Sequence, residues 1–292
     1  MTAFLEIENL SASLKRQRVR MLRSVSLSVA AGEVHGLVGE SGAGKSMIGK
    51  AVLGILPAAL AIDEGEIRLD GEDLLAMRPA DRRRAIGAKA ALIPQDPLTA
   101  LNPSHCIGPQ ITGRLVDILG WDKRKADMRA RELLAEVNID DPDRVMASYP
   151  FELSGGMRQR VLIASAFAAN PKLIVADEPT TALDVTVQKQ ILKLIREMQA
   201  RHGTAMLFVT HDLGVVSKIC QRLSVLYAGK VLEQATIAEF FADPKHAYSR
   251  ALLAATPKYT DPGSSLVPVD SSVTDLVAAE IEAVDEGWRL AR

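Results

Sequence analysis

The residues best suited to chemistry lie near the start of the chain, in the stretch Gly39-Glu40-Ser41-Gly42-Ala43-Gly44-Lys45-Ser46. The stretch fits the pattern of Gly, four residues, then Gly-Lys-Ser, between an apolar run and a helix-forming run. Such glycines let consecutive backbone N–H groups surround an anion, and a helix N-terminus adds a favourable dipole. Lys45 can reach terminal phosphates, and the Ser46 hydroxyl can hold Mg²⁺. A bare Gly-rich turn would explain neither Lys45 nor Ser46, so we predict a phosphate loop at Gly39–Ser46.

Three further groups of polar residues follow apolar runs that are typical of buried strands: Gln95, the pair Asp177 and Glu178, and His211. Ligands of parallel sheets gather at the carboxyl ends of the strands, so we expect these side chains beside the phosphate loop. Asp177 would hold Mg²⁺ directly or through water, while Glu178 would orient and deprotonate a water that attacks the terminal phosphate. Each residue alone is ordinary, but the set predicts a nucleoside triphosphatase.

A second anion site is predicted where Ser154, Gly155 and Gly156 open an Ala-rich helix that runs through Ala169. Ser154 is a possible N-cap, and the glycines leave the first backbone N–H groups accessible. This helix end has no phosphate of its own. If two such domains face each other head to tail, Ser154 and its glycines could complete the nucleotide site of the partner.

The elements that must position these residues follow from hydrophobic periodicity. Alternating patterns predict half-buried antiparallel strands, and continuous apolar runs predict buried parallel strands. The predicted alternating strands are Phe4–Asn9, Ser24–Val29 and Glu66–Gly71. The predicted buried strands are Ala90–Pro94, Leu173–Glu178 and Ala205–Thr210, with further strand signals at Leu223–Tyr227 and Lys230–Glu233.

Helical spacing predicts helices at Lys123–Val137 and Thr186–His202, the latter closed by Gly203. Residues from about 100 to 165 are rich in such signals, which indicates a helical insertion. From Pro257 to Ser272 the composition changes to Thr, Pro, Gly, Ser and Asp, which is typical of a linker. An amphipathic helix is predicted from about Thr274 to Arg289. We therefore expect one large domain over residues 1–255 and a linker with a helix over 256–292.

Composition excludes several classes of protein. The 292 residues hold 35 Lys and Arg against 36 Asp and Glu, so a general electrostatic attraction to nucleic acid is not expected. The N-terminus lacks the pattern of a secretion signal, and no apolar run reaches the roughly 18 residues of a membrane helix. The two cysteines, Cys106 and Cys220, match no metal spacing and suit a reducing compartment.

Together these motifs resemble the ATP-binding subunits of ABC transporters over about residues 1 to 255. The motifs occur in the order of that family: Walker A at Gly39–Ser46, the Q-loop at Gln95, the signature at Leu153–Met157, Walker B at Leu173–Asp177 followed by Glu178, the D-loop at Ala182–Asp184, and the switch at His211. The resemblance implies an α/β fold, with a P-loop NTPase core around a mainly parallel sheet, an antiparallel β subdomain and a helical subdomain.

The resemblance also implies roles for the site residues. Glu178, His211 and Gln95 would be catalytic, and Ser46, Gln95 and Asp177 would bind the metal. The nucleotide would contact the Walker A residues and the signature and D-loop residues of the family: Gly39, Glu40, Ser41, Gly42, Ala43, Gly44, Lys45, Ser46, Ser154, Gly155, Gly156 and Asp184. The implied cofactors are ATP and Mg²⁺.

Four stretches are similar to the dipeptide and oligopeptide importers of the family: Pro94–Pro103, Phe151–Val161, His211–Val216 and His246–Leu253. Met157 resembles one of the two non-identical ATPase subunits of those importers. The resemblance implies two permease subunits, a second ATP-binding subunit and, indirectly, an external solute-binding protein. It places the chain as a peripheral protein on the cytoplasmic face of the inner membrane, without a nucleic-acid partner.

The chain departs from this family in two places. Lys15–Arg20 stands where the family often stacks adenine on an aromatic residue, and an arginine face could substitute. No cysteine follows Cys220, whereas peptide importers commonly end in a cysteine-rich segment, so we expect no iron-sulfur cluster. His246, in the tail motif, is expected to be structural.

Other functions stay open at the level of sequence. The solute could be an opine, a nickel complex or a glycoside instead of a peptide. A soluble ABC switch protein acting on ribosomes or DNA is a further alternative, although such proteins usually carry two ABC domains or a long coiled insertion. Export is disfavoured by the importer-like stretches. The partner ATPase could be a second copy of this chain or a related one.

Overall fold

The computed structural model describes residues 3–16, 19–181, 183–256 and 271–290. The chain divides into two compact units. The helical unit consists mainly of Leu74–Leu207, together with Ala30–Glu33 and the first residues. The phosphate-loop unit consists of Leu5–Val29, Val34–Asp73 and Phe208–Arg292.

The strands of both units, numbered along the chain, are β1 (Ala3–Leu14), β2 (Arg20–Ala30), β3 (Val34–Val38), β4 (Leu60–Leu69), β5 (Glu72–Asp73), β6 (Ala90–Ile93), β7 (Leu173–Asp177), β8 (Ala205–Val209), β9 (Arg222–Tyr227) and β10 (Lys230–Thr236). The helices are α1 (Lys45–Val52), α2 (Pro79–Lys89), α3 (Pro97–Ala100), α4 (Ile107–Gly113), α5 (Lys123–Glu136), α6 (Pro142–Ala147), α7 (Gly155–Phe167), α8 (Val185–His202), α9 (Leu213–Ile219), α10 (Ile237–Ala242), α11 (Ala247–Ala255) and α12 (Ser271–Leu290). A π-helical segment covers Arg114–Ile118 and a 3₁₀ turn covers Pro150–Glu152.

The phosphate-loop unit contains the predicted antiparallel layer, a sheet of four strands in the order β2-β1-β4-β5. β1 pairs antiparallel with β4, and β4 with β5. Buried and half-exposed residues alternate along β2, as expected for a strand with one covered face. The register of β1 against β4 shifts between Glu8 and Ala12, which marks an irregularity beside Gly65.

The same unit contains the strand that leads into the phosphate loop. Every residue of β3 is buried, and β3 pairs in parallel with β9, which pairs antiparallel with β10. His35, fully buried on β3, forms a hydrogen bond of 2.8 Å to Ser224 Oγ on β9. This contact gives Nε2 of the buried imidazole ring a polar partner.

The helical unit holds β6, β7 and the first residues of β8. β6 pairs in parallel with β7, with Ile93 opposite Ala176, and all residues of β7 and β8 are buried. Parallel strands that are covered on both faces need such continuous apolar sequences. The pairing places the residues after Ile93 and after Ala176 at the same edge, because the carboxyl ends of parallel strands coincide.

The helices of this unit begin and end as their sequences indicate. Asp122 accepts hydrogen bonds from the backbone N–H groups of Arg124 and Lys125 and caps α5, which packs against α7. Gly203 ends α8 in the left-handed conformation, with φ of 60°. Residues 100–165 are mainly helical, as the periodicity indicates, although their status as a separate subdomain stays a prediction.

Several elements differ from the sequence prediction. β4 begins at Leu60, six residues before the predicted start, because Leu60–Glu64 continues the pairing with β1 beyond the irregularity. α2 was not predicted, since its mainly polar sequence buries only Ile86 and has no apolar stripe. The last helix begins at Ser271 instead of Thr274 and ends at Leu290 instead of Arg289.

The predicted linker lies mainly at 257–270, outside the described residues. Among the helices that the structure describes, none is both long and apolar enough to span a bilayer.

Candidate functional site

The phosphate loop joins β3 to α1 as the sequence predicts. Gly39 has φ of +149°, and a Cβ atom there would lie 2.2 Å from the carbonyl oxygen of Leu226, so the position requires glycine. Gly44, with φ of 97°, precedes α1. Lys45 is 4 % exposed, and its Nζ donates to the carbonyl oxygens of Gly39 at 2.8 Å and Glu40 at 2.9 Å. The ammonium group is therefore held inside the curve of the loop.

Two further predicted residues belong to the same unit. Ser46 is the second residue of α1, directly after Lys45. His211 is exposed and follows Thr210, whose backbone N–H donates to the carbonyl of Leu37 on β3 at 3.1 Å. His211 thus leaves its strand at the level where β3 passes into the phosphate loop.

The helical unit brings together Gln95 and Glu178. Gln95 Nε2 donates to Glu178 Oε2 at 3.1 Å, and Thr181 Oγ1 donates to the same oxygen at 2.9 Å. Glu178 has φ of 44°, in the left-handed region that non-glycine residues rarely adopt. Such conformations cost about 1–3 kcal/mol and cluster at functional sites. The carboxylate is therefore aimed and held by two donors, of which Thr181 was not identified from the sequence.

Asp177, next to Glu178, is the last residue of β7 and is 8 % exposed. Its carboxylate and the Gln95 amide oxygen are hard oxygen donors, the type that Mg²⁺ prefers. Among the residues that the structure describes, no group of three or more His, Cys, Asp and Glu side chains forms a metal cluster.

The signature residues open α7. Ser154 Oγ accepts the backbone N–H of Met157 at 3.3 Å, and a Cβ atom at Gly155 would meet no atom within 4 Å. A Cβ atom at Gly156 would lie 3.5 Å from Val187 Cγ1 on α8. The exposed N-terminus of α7 therefore approaches the first turn of α8.

Asp184 caps that turn of α8. Its Oδ1 accepts the backbone N–H groups of Thr186 and Val187 at 3.0 Å each. Ala182, in the same predicted D-loop, lies outside the described residues. Gln159 on α7 donates to the carbonyl of Pro179 at 2.8 Å and is 1 % exposed. Gln159 was not identified as a site residue from the sequence, although it lies two residues after the signature, and it ties α7 to the loop after Glu178.

Each unit therefore assembles part of the predicted set. The phosphate-loop unit holds Gly39–Ser46 and His211, while the helical unit holds Gln95, the Asp177–Glu178 pair and the signature and D-loop residues. The convergence of both parts on one nucleotide stays a prediction.

Comparison with known proteins identifies the chain. A family model described as ABC transporter matches residues 22–181, more than half of the 292 residues. The chain belongs to the ABC transporter family. It has the ABC ATPase fold, an α/β fold with parallel and antiparallel strands, as the sequence predicts. Binding of ATP and the enzymatic class of ATPase follow from the same assignment.

Relatives of this ABC transporter subunit carry names of peptide transport proteins. The probable D,D-dipeptide transport ATP-binding protein of Escherichia coli (strain K12) is 45 % identical over 88 % of this chain and 79 % of its own length. The oligopeptide transport ATP-binding protein of Bacillus subtilis (strain 168) is 42 % identical over 94 % and 78 %. A solved dimeric ATP-binding cassette in a post-hydrolysis state, bound to ADP and Pi, has a TM-score of 0.69 and 25 % identity, covering 80 % of this chain and 98 % of that chain.

The stretch expected to offer an arginine face for adenine lies in the turn after β1 and at the start of β2. Lys15 and Arg16 are exposed there, whereas Gln17 and Arg18 lie outside the described residues. Arg20 is only 5 % exposed, because it donates to Ser11 Oγ and lies beneath the ring of Trp288. Burial lowers the pKa of Arg20. Arg20 thus packs inside the unit.

The tail motif packs its Tyr248 into the core of the phosphate-loop unit. Tyr248 on α11 is fully buried, with its ring 4.9 Å from that of Tyr227. His246 Nδ1 accepts the backbone N–H of Tyr248 at 3.1 Å and caps α11, and Glu233 accepts the N–H of His246 at 2.8 Å. Burial raises the pKa of the Tyr248 phenol, and the charge of Glu40 raises it further, although the backbone N–H of Glu40 partly offsets the rise.

This raised pKa predicts a loss of stability at alkaline pH. The folded state favours the neutral phenol, so the contribution of Tyr248 is fully present below its ordinary pKa of about 10 and is lost as pH rises through the higher folded value. The unfolding free energy should therefore fall above about pH 10, and the fall should be shallower in Tyr248→Phe. Urea unfolding at pH 8, 10 and 11 checks this. Parallel pH profiles of the two proteins would contradict it.

Proposed function

We propose that this ABC transporter subunit hydrolyses ATP with Mg²⁺ and thereby drives the import of peptides through a membrane permease. The hydrolytic part rests chiefly on one observation: Glu178, in a strained backbone conformation, has its carboxylate held by Gln95 and Thr181. Peptide as the solute is supported by the peptide transport relatives. A solvated surface carboxylate would need neither the strain nor the paired donors.

Each residue has a definite role in the proposed reaction. The backbone N–H groups of the phosphate loop and the Lys45 ammonium bind the phosphates. Glu178 orients a water in line with the terminal phosphate and accepts its proton, and His211 stabilises the terminal phosphate. Bound Mg²⁺, with Ser46, Gln95 and Asp177 as protein ligands, would neutralise charge that develops on the phosphate oxygens.

A second ATP-binding subunit completes the proposed site. The N-terminus of α7, with Ser154, Gly155 and Gly156, is exposed and offers N–H groups to an anion outside its own chain. Val185, beside Asp184, is 64 % exposed. A head-to-tail dimer with ATP between the subunits would use both features, and the dimeric state of the related cassette supports it. We propose a related, non-identical chain as the partner.

The proposed contact with the permease lies on the helical unit. Leu98 on α3 and Phe151 are large apolar side chains that are 65 % and 67 % exposed, and Phe151 stacks on Tyr149 at 5.5 Å. α3 follows Gln95 directly and packs against α7. Exposed apolar groups of this size favour a protein partner. Two permease subunits would dock here, at the cytoplasmic face of the inner membrane, and an external binding protein would deliver the solute.

Co-purification tests the assembly. The tagged full-length chain is recovered from gently solubilised membranes of its host, and the accompanying proteins are identified. We expect two permeases and one related ATPase. Recovery only in soluble complexes with ribosomal proteins or DNA would contradict the transport proposal, while a binding protein specific for opines, nickel complexes or glycosides would replace peptide as the solute.

Coupling through Gln95 gives a further prediction. Gln95→Ala removes the donor at 3.1 Å from Glu178 and one proposed metal ligand, so hydrolysis stimulated by the permeases should fall about 10–100-fold. The measurement is phosphate release by the assembled transporter with and without its solute. Gln190→Ala, an exposed glutamine on α8, serves as the control and should retain full stimulation. Full stimulation of Gln95→Ala would count against the assigned role.

A further inference from the structure

The C-terminal helix α12 is anchored to β2 by a buried ion pair. Asp285 accepts two hydrogen bonds from Arg23, from Nε at 2.9 Å and from Nη2 at 2.6 Å. The two side chains are only 13 % and 11 % exposed. Arg20 Nη1 lies 3.8 Å from the same carboxylate, and its guanidinium lies 5.0 Å from the ring of Trp288. Asp285 thus neutralises two adjacent arginines, and Trp288 covers one of them.

Arg23 also holds the turn between β9 and β10. Its Nη1 donates to the carbonyl of Ala228 at 2.5 Å, and its backbone N–H donates to the carbonyl of Gly229 at 2.8 Å. Both turn residues have positive φ, 42° and 78°. A Cβ atom at Gly229 would lie 2.1 Å from the carbonyl oxygen of Met21, so the turn is pressed against β2. The planar guanidinium bridges Asp285 and this turn at once, which the point charge of a lysine cannot do.

The β9–β10 turn, held by Arg23, contacts the phosphate loop. The backbone N–H of Gly229 donates to the carbonyl of Ala43 at 2.8 Å, inside the Gly39–Ser46 loop. A Cβ atom at Gly44, the next residue, would lie 3.3 Å from Gly229 Cα. The turn therefore fixes the position of the Ala43 carbonyl, directly before Gly44 and Lys45 of the phosphate loop. Asp285 and Ala43 are thus linked by hydrogen bonds through Arg23 and Gly229 within one compact unit.

We propose that α12 is a positioning element for the phosphate loop: Asp285, through Arg23 and the β9–β10 turn, fixes the conformation of the loop and so strengthens ATP binding. This inference rests on the proposed binding of ATP at Gly39–Ser46. Asp285 touches no reacting group, and its effect is on the affinity for nucleotide. Coupling is reciprocal, so bound ATP must stabilise the docked helix to the same degree.

Affinity for ATP in the isolated full-length chain is the first test. Asp285→Asn keeps the shape of the side chain and removes its charge, and we expect the Kd for a fluorescent ATP analogue to rise about three- to tenfold. Glu286→Gln changes the charge of an exposed neighbour on α12 and should leave the Kd unchanged. An unchanged Kd in Asp285→Asn with an intact far-ultraviolet spectrum overturns the inference. Failure of the wild-type chain to bind ATP at all would instead overturn the proposed function.

Hydrogen exchange on the wild-type chain keeps the inference testable if Asp285→Asn does not fold. Saturating ATP should slow amide exchange in α12, and the emission of Trp288 should shift in a Trp121→Phe background, in which Trp288 is the remaining tryptophan. If α12 only stabilised the fold and were not coupled to ATP binding, neither change would occur. Equal exchange in α12 with and without bound ATP would therefore overturn the inference.

A double-mutant cycle tests the route. Arg23→Lys keeps the positive charge but loses the planar bridge, so it should weaken ATP binding in the same direction as Asp285→Asn. If both residues act through one contact, the double variant should weaken binding no more than the stronger single variant. If the increases in Kd of the two single variants multiply in the double variant, Asp285 does not act through Arg23. That result would overturn the proposed link from Asp285 through Arg23 to the phosphate loop.

Discussion

Glu178→Gln is expected to lower steady-state ATP hydrolysis about 10²–10⁴-fold while ATP still binds. The glutamine side chain has the same size as that of Glu178, and its amide oxygen can still accept hydrogen bonds from Gln95 and Thr181. The neutral amide cannot accept a proton from water. Phosphate release at saturating ATP gives the rate, and retention of radiolabelled ATP after rapid filtration gives the binding. Trapped nucleotide should also favour the two-subunit assembly.

The matched control for this substitution is Glu197→Gln. Glu197 lies on α8 in the same unit, and its side chain is 50 % exposed beside Lys193 at 3.8 Å. An ion pair with this exposure contributes little, so hydrolysis should stay within twofold of the wild type. Undiminished turnover in Glu178→Gln would remove Glu178 from the role of general base. Loss of both binding and turnover would indicate a structural role for the carboxylate.

The second large effect is expected for Lys45→Ala, which should raise the Kd for ATP about 100-fold or more. The Lys45 ammonium is buried and already held by the Gly39 and Glu40 carbonyls, so little side-chain entropy is lost when phosphates replace these acceptors. The alanine variant loses this charge and leaves the two carbonyls without their donor. Titration with a fluorescent ATP analogue measures the change in affinity.

Lys50→Ala is the control for the lysine prediction, because Lys50 is exposed on the same helix, α1. Its Kd for ATP should match that of the wild type. Thermal melting without nucleotide should accompany both titrations, since loss of the donor from Lys45 also costs about 1–3 kcal/mol of stability. An ATP affinity in Lys45→Ala equal to that of the control would refute the assignment of the phosphate loop.

Much of the fold follows from local sequence patterns. The continuous apolar runs at β7 and β8 predict buried strands, and their observed bounds differ from the predicted ones by one residue at the carboxyl end. The phosphate-loop pattern predicts a strand, a loop and a helix in the places where β3 and α1 lie. These elements are determined by short-range rules, such as strand periodicity and the spacing of Gly, Lys and Ser in the phosphate loop.

Other features could not be predicted because they depend on contacts between distant residues. Asp285 meets Arg23 across 262 positions of the chain, and Gln234 reaches the Ser26 carbonyl across 208. α2 was not predicted, because it buries one apolar residue, Ile86, and its sequence therefore shows no helical periodicity of apolar residues. No single-sequence pattern carries such long-range pairings.

The candidate site shows the same division. Gln95 and Glu178 were expected to lie close together, and the parallel pairing of β6 and β7 explains why their side chains meet. The left-handed conformation of Glu178 and the donor Thr181 depend on local backbone geometry that residue types do not reveal. The signature Ser154 and the D-loop Asp184 cap their own helices, and their contacts with nucleotide stay a prediction.

The most direct test of the central proposal is solute-dependent ATP hydrolysis by the reconstituted transporter. This chain, its co-purifying ATPase and the two permeases are placed in vesicles, and phosphate release and dipeptide uptake are measured with the external binding protein present. We predict that dipeptides stimulate both, and that Glu178→Gln abolishes both while the assembly stays intact. Hydrolysis that is unaffected by every peptide, with no uptake, would contradict the account.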